Sequence, residues 1–405
     1  MKKEFHIRLI LLLAVLLCSG AYCRAEDGSD VKKSFNPVEY AVTSLMIAPD
    51  AKGAGFGDAG VATEADVNSQ YWNPAKYPFC ISRAGVAINY TPWLRQLVND
   101  MGLASVSGYY RLGDYSALSA GFRYFTLGEV YTSMDESAMT IKPYEMAFDV
   151  AVSRMLSENF SLAVAGRFIL SDLKYNFDED TSPASAFAAD IAMYYNKYFN
   201  IGERECLFGL GLNISNVGSK ISFYGDNYSQ FIPTNMRLGV NFTFPIDEYN
   251  KFSIAADANK LLIPTCPTEE QFRADSAAHK TSCLSYHEYL EENYYNIGSI
   301  KGIFKSFSDA PGGFSEELDE IQWSVGAEYT YNDKFSVRAG YHHEAESKGN
   351  RKYFTVGAGF KMNVFSLDVG YVIATAKSNP LDQTMRFTLG FDLDGVKDLF
   401  NRGNR

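Results

Sequence analysis

The fold is decided by residues 384–393, which read Thr-Met-Arg-Phe-Thr-Leu-Gly-Phe-Asp-Leu. Large apolar side chains occupy every second position from Met385 to Leu393, and the positions between them are small, polar or charged. Successive side chains of a β-strand point to opposite faces of the sheet, so this period of two predicts a strand with one apolar and one polar face. A soluble antiparallel sheet can show the same pattern, so one strand does not settle the class of protein.

The pattern recurs in fourteen segments, which begin near residues 83, 102, 115, 143, 158, 184, 205, 232, 251, 321, 333, 351, 363 and 383. Tight turns such as 112–114 alternate with long connections such as 126–142, and only the 196–204 turn is of intermediate length. An even strand number, with short turns at one end and long loops at the other, is typical of outer-membrane barrels. We therefore predict an all-β fold: a 14-stranded antiparallel transmembrane β-barrel over residues 83–393 in the bacterial outer membrane, with periplasmic termini.

The distribution of side chains between the two faces separates this barrel from a β-sandwich or a lipocalin-like barrel, which bury the apolar face. Here the bulky face is the apolar one and suits lipid, whereas the other face is rich in Gly, Ala and Ser. The charged residues of that small-residue face are Arg123, Asp149, Arg167, Asp190, Arg237, Asp257, Glu328, Arg338, Lys361, Asp368 and Asp392. Because an unpaired buried charge is costly, we expect these charges to pair with one another and with a segment that fills the lumen.

The stretch 49–76, which opens with Pro-Asp-Ala-Lys-Gly-Ala-Gly-Phe-Gly-Asp-Ala-Gly over residues 49–60, stands directly before the series of strands. It contains a match to G-x-G-x-x-G, but a dinucleotide loop needs a preceding buried strand and a following helix, and neither is visible. The stretch is too Gly-rich for a regular element and too apolar for a free tail. It predicts an N-terminal plug, residues 40–82, inside the barrel.

The remaining segments are assigned from composition. Residues 1–25 read as a signal peptide, with Lys2, Lys3 and Arg8 before an apolar run, and 26–39 as a flexible periplasmic segment. Residues 394–405 form a C-terminal tail. The net charge of −11 argues against nucleic-acid binding, and the 15% aromatic content fits membrane-interface girdles in contact with outer-membrane lipid.

The largest predicted extracellular loop is the insertion 261–320. A short helix is expected near 286–292, and Phe304, Phe307 and Phe314 fit either a partner-binding surface or a mobile loop. Cys266 and Cys283 lie in this one segment and predict a disulfide outside the cytoplasm.

Catalytic chemistry is not indicated. His287-Glu288-Tyr289-Leu290-Glu291 has Glu where a zinc protease needs its second His, and no nucleophile elbow or metal-ligand spacing occurs. His342 and His343 are adjacent on a strand and so point to opposite faces. We predict no catalytic residue, no metal and no cofactor.

Two runs carry a family resemblance. The first is Asp58-Ala59-Gly60-Val61-Ala62-Thr63 followed by Tyr71-Trp72-Asn73-Pro74-Ala75, and the second is Asn89-Tyr90-Thr91-Pro92-Trp93-Leu94-Arg95. The first resembles the plug of FadL-like outer-membrane proteins. Together they resemble the PorV (LptO) family, outer-membrane components of the type IX secretion system of Bacteroidota. The plug residues that carry the resemblance are Pro49, Asp50, Gly55, Gly57, Asp58, Gly60, Trp72, Asn73 and Pro74.

The resemblance implies a non-enzymatic shuttle. Such a protein would bind the C-terminal signal domain of secreted cargo leaving a SprA-type translocon and deliver it to a PorU-type sortase attachment complex. The candidate partner-binding loop comprises Pro92, Trp93, Leu94, Leu97 and Val98. The alternative is a FadL-type channel for uptake of hydrophobic small molecules, which needs an apolar pocket in the lumen.

Overall fold

The computed structural model describes residues 35–95, 98, 100–131, 140–173, 183–223, 229–375 and 381–395. Within these residues, fourteen strands close into a barrel. In chain order they are β1 Ala84–Pro92, β2 Met101–Arg111, β3 Ser116–Leu127, β4 Tyr144–Ser157, β5 Phe160–Asp172, β6 Ala184–Ile201, β7 Arg204–Gly218, β8 Asn235–Pro245, β9 Asn250–Leu261, β10 Ile321–Tyr331, β11 Phe335–His343, β12 Tyr353–Lys361, β13 Phe365–Ala374 and β14 Met385–Asp392. The predicted signal peptide, residues 26–34 and all of the tail after Gly395 lie outside the described residues.

Each strand pairs antiparallel with its neighbour in the sequence, and β1 closes the barrel by pairing with β14 in a register that sets Ile88 against Leu389. The predicted 14-stranded antiparallel barrel is confirmed. The prediction of a turn of intermediate length at 196–204 is wrong. Strand β6 ends at Ile201 and β7 begins at Arg204, which leaves a two-residue turn with Gly202 at φ +69°. We call the two ends of the barrel the short-turn end and the long-loop end. Two small hairpins lie at the long-loop end, Val130–Tyr131 with Thr140–Ile141 and Ile221–Ser222 with Ser229–Gln230.

The two faces of the wall differ as the sequence predicts. Along β14, Met385, Phe387 and Leu389 are exposed on the outside, whereas Arg386 and Thr388 are buried inside. An apolar exterior around a small and polar interior is the arrangement that lipid outside and protein inside require. No described helix is long and apolar enough to cross a bilayer.

The plug lies inside this wall. It contains four short helices: a 3₁₀ turn Thr43–Met46, an α-helix Ala51–Gly55, an α-helical turn Ser69–Trp72 and a 3₁₀ helix Pro74–Phe79. Polar contacts join it to opposite sides of the barrel. On one side Ala51 N donates to Thr388 Oγ1 at 2.8 Å, and on another Gly60 N donates to Asp257 Oδ2 at 2.7 Å.

The plug runs through the barrel from one end to the other. At the long-loop end Asn36 N donates to Ser347 O at 2.8 Å and Ala41 N donates to Phe231 O at 2.9 Å. At the short-turn end Tyr109 OH donates to Ser82 O at 3.1 Å. The expected periplasmic placement of residues 26–39 is therefore wrong for 35–39, which bond to the long loops. Backbone pairing to those loops outweighs the polar composition that indicated a free segment.

The insertion folds into short helices over the long-loop end: Glu269–Ala277, Tyr286–Leu290 with a π-helical turn Glu291–Tyr295, Ser299–Lys305 and Phe314–Asp319. The short helix expected near 286–292 is confirmed. A further 3₁₀ turn, Glu346–Lys348, lies in the neighbouring loop.

The predicted disulfide between Cys266 and Cys283 is wrong in this structure, where both are free thiols. Each sulfur has its own surroundings. Cys266 packs against an apolar cluster that includes Leu261 and Tyr294, while Cys283 Sγ donates to Glu292 Oε2 at 3.4 Å. Membership of one loop does not bring two thiols together when the loop folds into separate helices.

Candidate functional site

The centre of the plug is a pair of side chains from two separate segments. Asp50 caps the helix Ala51–Gly55 by accepting from Gly53 N at 2.7 Å, and its other oxygen accepts from Trp72 Nε1 at 2.6 Å. Both side chains are buried. Because one carboxylate serves both donors, the helix and the Trp72 segment form one unit.

Two glycines make room for the Trp72 ring. A Cβ on either Gly53 or Gly60 would lie 2.7 Å from Trp72 Cε2, well inside van der Waals contact. The backbone at both glycines therefore packs directly against the ring. Glycine is required at these positions because there is no space for a side chain, and not because the backbone has to be flexible.

The G-x-G-x-x-G run forms contacts with the wall. Thr355 Oγ1 of β12 accepts from Gly57 N at 2.9 Å and donates to Gly55 O at 3.0 Å. Gly57 has φ +76°, and a Cβ there would lie 2.6 Å from Tyr341 N. These glycines let the plug backbone lie directly on the barrel wall, as a closure requires.

Asp58 links the plug to strands β12 and β14 of the barrel wall. It forms an ion pair with Arg386 of β14 and accepts from Tyr353 OH at 2.5 Å. Arg386 is 4% exposed, so its charge depends on this partner. Asp58 itself adopts φ +61°, a conformation that Asp tolerates better than most residues.

Asn73 and Pro74 turn the chain towards the wall. Asn73 Oδ1 accepts from Ala75 N at 3.1 Å, and Asn73 Nδ2 donates to Val61 O at 3.0 Å and to Met193 O at 2.8 Å. Pro74 begins the 3₁₀ helix, where its missing N–H costs nothing. Pro49 is buried, and its carbonyl accepts from Thr91 Oγ1 at 3.5 Å. All nine predicted plug residues thus lie within the plug.

Most of the inward charges bond to one another or to the plug as expected, whereas Lys361 is exposed. Arg167 bonds to Asp190 at 2.8 Å and approaches Asp149 at 3.6 Å. Arg338 bonds to Asp368 at 2.6 Å and also to Glu328. Arg123 and Arg237 both lie over the ring of Tyr71, with guanidinium carbons 5.0 and 4.5 Å from its centre. The lumen cavity beside Arg123, Arg167 and Arg237 measures about 30 Å³, enough for a water molecule but not for a hydrophobic solute. A larger cavity of about 380 Å³ at the short-turn end is lined by charged side chains such as Lys52, Asp66 and Arg338, so it does not offer an apolar pocket.

The role of the wall glycines was missed by sequence reasoning. A Cβ on Gly209 would lie 2.6 Å from Ala62 O, and one on Gly326 would lie 2.6 Å from Phe56 Cδ1. Their small size was visible in the sequence, but the plug atoms that they face were not. They extend the direct contact between the plug and the wall over several strands.

The candidate partner-binding loop is partly packed. Trp93 contacts an apolar cluster of Ile47, Leu103 and Phe125, and Trp93 N donates to Met101 O at 3.0 Å. Leu94 and Val98 are half-buried, and Pro92 ends β1. Leu97 lies outside the described residues. The loop is at the long-loop end, as predicted.

The adjacent histidines have different surroundings, as their places on one strand predict. His342 is buried and bonds to Ser324 Oγ at 2.9 Å, whereas His343 stacks on Trp323 at 4.9 Å. No cluster of His, Cys, Asp or Glu able to hold a metal ion occurs among the described residues.

Comparison with known proteins gives one family. Residues 31–268, more than half of the chain, match the family model described as type IX secretion system protein PorV. None of the curated proteins matches the chain.

Similar solved structures include a Pseudomonas aeruginosa FadL homologue, with 11% identity, 89% of this chain and 100% of that chain covered, and a TM-score of 0.40. The Ralstonia pickettii toluene transporter TbuX has 11% identity, coverage of 90% and 99%, and a TM-score of 0.44. The Pseudomonas putida toluene transporter TodX has 8% identity, coverage of 88% and 98%, and a TM-score of 0.45. At these values we draw nothing about function from them.

Proposed function

This chain belongs to the family of type IX secretion system protein PorV and is an outer-membrane β-barrel, and on that basis we propose that it is a secretion shuttle. It binds the C-terminal signal domain of cargo that leaves a SprA-type translocon and delivers the cargo to a PorU-type sortase attachment complex. The long-loop end, which is extracellular in outer-membrane barrels, carries this binding. We assign the chain no catalytic step.

The observation that carries the proposal is the closure of the lumen. The plug backbone lies on the wall at Gly57 and Gly209, and charged pairs such as Asp58 with Arg386 fix it there. A protein closed in this way works on its exterior surface, where the long loops and the insertion lie. The loop from Pro92 to Val98 remains a candidate contact, since Trp93, Leu94 and Val98 are all only half-buried.

The test separates the shuttle from a FadL-type channel by locking the plug. A Cβ on Gly370 would lie 3.3 Å from Ala54 Cβ, close to the separation that a disulfide needs, and 2.9 Å from Ala51 O, so the effect of Gly370→Cys alone has to be measured as well. We would introduce Ala54→Cys with Gly370→Cys in a chain whose Cys266 and Cys283 are serine. A shuttle keeps normal attachment of cargo at the cell surface when the plug is locked, whereas gene deletion abolishes attachment.

The matched controls are Gly370→Cys alone and the double variant kept reduced. Loss of cargo attachment only in the oxidised double variant would show that the plug has to move. Normal cargo attachment after gene deletion, together with lost uptake of a hydrophobic solute, would reject the shuttle in favour of the channel.

A further inference from the structure

The insertion presents apolar side chains to solvent in a regular arrangement. On the helix Ser299–Lys305, Ile300 and Phe304 are 68% and 73% exposed, and on the helix Phe314–Asp319, Phe314 and Leu318 are 79% and 51% exposed. Each pair is spaced i, i+4 and so occupies one face of its helix. Scattered exposed apolar residues are normal, but two successive helices of one insertion that each carry a pair of exposed apolar residues indicate a contact surface.

The same insertion is strongly acidic. Residues 262–320 contain eleven Asp and Glu against four Lys and Arg, a net charge of −7 within a chain of −11. Glu288, Glu291 and Glu292 are exposed along the segment Tyr286–Tyr295. Lys305 Nζ donates to Asn293 O at 2.8 Å, so this acidic segment adjoins the helix that bears Phe304.

The insertion is also anchored to the barrel. Lys260 of β9 bonds to Glu317 at 3.0 Å and to Glu320 at 2.6 Å. Lys348, from the neighbouring loop, bonds to Glu316 at 2.6 Å and to Glu320 at 3.0 Å. Buried ion pairs that bridge a loop to the wall fix its orientation, so the helix that bears Phe314 and Leu318 is presented in a preformed arrangement.

We propose that the apolar pairs Ile300/Phe304 and Phe314/Leu318, rimmed by Glu288, Glu291 and Glu292, form a docking surface for an extracellular protein with Lys and Arg around an apolar patch. An apolar centre with a charged rim is the composition of a protein interface. The acidic rim selects a basic partner and is repelled by the anionic lipid surface, so the occupant is protein rather than membrane. This inference rests on the proposed function only in taking the long-loop end as extracellular.

The test is photocrosslinking in intact cells, with p-benzoylphenylalanine replacing Phe304 or Phe314. Ile81, which is 95% exposed at the short-turn end of the barrel and therefore far from this surface, is the control position. We expect a protein adduct at 304 and 314 but not the same adduct at 81, with a Lys- or Arg-containing peptide at the crosslink. The variant Glu288→Gln/Glu291→Gln/Glu292→Gln should lower the yield roughly tenfold.

Four results overturn the proposal: adducts with lipopolysaccharide, the same adducts in equal yield at position 81, no adduct in protein shown to be folded by its heat-modifiable migration, or a yield unaffected by the glutamine variant. Cargo attachment is measured in the same cells. If deleting the gene leaves cargo attachment normal, while the adducts form in cells that carry the gene, the shuttle fails and the docking surface stands. If attachment needs the gene and no adduct forms, the docking surface fails alone.

Discussion

Trp72 Nε1 donates a hydrogen bond of 2.6 Å to Asp50 Oδ1, and this bond joins plug segments that lie 22 residues apart. The second Asp50 oxygen accepts from Gly53 N. One buried carboxylate therefore satisfies both donors, and the plug acts as a single body because of it.

Replacing Asp50 with Ala leaves two buried donors without acceptors, so we expect a loss of about 2–4 kcal/mol in the free energy of unfolding. Asp50→Asn retains one acceptor and should lose about half as much. Urea unfolding of the protein in lipid vesicles measures both. Asp114→Ala, at an exposed turn, is the control and should stay within about 0.5 kcal/mol.

The Trp72 enclosure predicts a steric effect. Gly53→Ala and Gly60→Ala each place a methyl group against the indole and should destabilise by about 1–3 kcal/mol. Gly166→Ala, where a Cβ meets nothing within 4 Å, should be close to neutral. Combining Gly53→Ala with Trp72→Leu should recover part of the loss in urea unfolding, and equal losses at positions 53 and 166 would contradict the enclosure.

The ion pair between Asp58 and Arg386 predicts strong coupling. Asp58→Asn or Arg386→Gln leaves a buried charge unpaired, which costs about 3–5 kcal/mol. The double variant should lose less than the sum of the single variants, because neither charge then remains. A double-mutant cycle measured by urea unfolding gives the coupling, and additive losses would show that the pair contributes little.

The insertion should respond to pH through Asp309. Burial, together with Glu320 and Glu317, raises the pKa of Asp309 to about 7. Because this folded-state pKa lies above the unfolded value, the folded insertion binds the proton more tightly, and the contribution of Asp309 to its stability falls as pH rises from about 4 to about 7. Hydrogen bonds from Lys260 and Thr265 lower the pKa of Glu320. The contribution of Glu320 to stability is therefore lost as pH falls, but only below the pH range in which Asp309 titrates.

The measurement is hydrogen exchange of the insertion at pH 5.5 and pH 8, corrected for intrinsic rates. Protection in the unmodified chain should be greater at pH 5.5, and Asp309→Asn should remove the difference. A pH response that persists in Asp309→Asn would assign it to another group.

The cysteines give a chemical test of the loop structure. Alkylation in denaturant without reductant should modify Cys80, Cys206, Cys266 and Cys283, since all four are free thiols. In the folded protein both insertion thiols should react slowly, because Cys283 is buried and burial raises the pKa of Cys266 to about 11. If only two of these four cysteines were alkylated, the result would support the disulfide between Cys266 and Cys283 that was predicted from their shared loop.

Much of the fold was predictable from local patterns. The alternation in residues such as Met385 and Arg386 reports the environment of each face directly, so it predicted the strands, the barrel and the inward charges. The helix near 286–292 also followed from its own residues. The length of β6 was underestimated because its end, Tyr195–Ile201, does not alternate cleanly between apolar and polar side chains.

The candidate site was predictable only in part. The sequence marked Asp50, Gly57 and Trp72 as plug residues, yet it gave no sign that Gly53 and Gly60 enclose the indole or that Thr355 bonds to both Gly55 and Gly57. Such contacts join positions as far as 300 residues apart. No local pattern carries information about a partner at that separation.

The sequence by itself determined the strands, their two faces and the family to which the plug motifs belong, because side-chain period and residue type act through nearest neighbours and solvent. Only the tertiary structure decided that the plug crosses the whole barrel, that residues 35–39 join the long loops, and that Cys266 and Cys283 stay apart. Each of these features depends on closure of the barrel. Closure brings together segments that are far apart in the sequence, and their local residue patterns do not indicate these contacts.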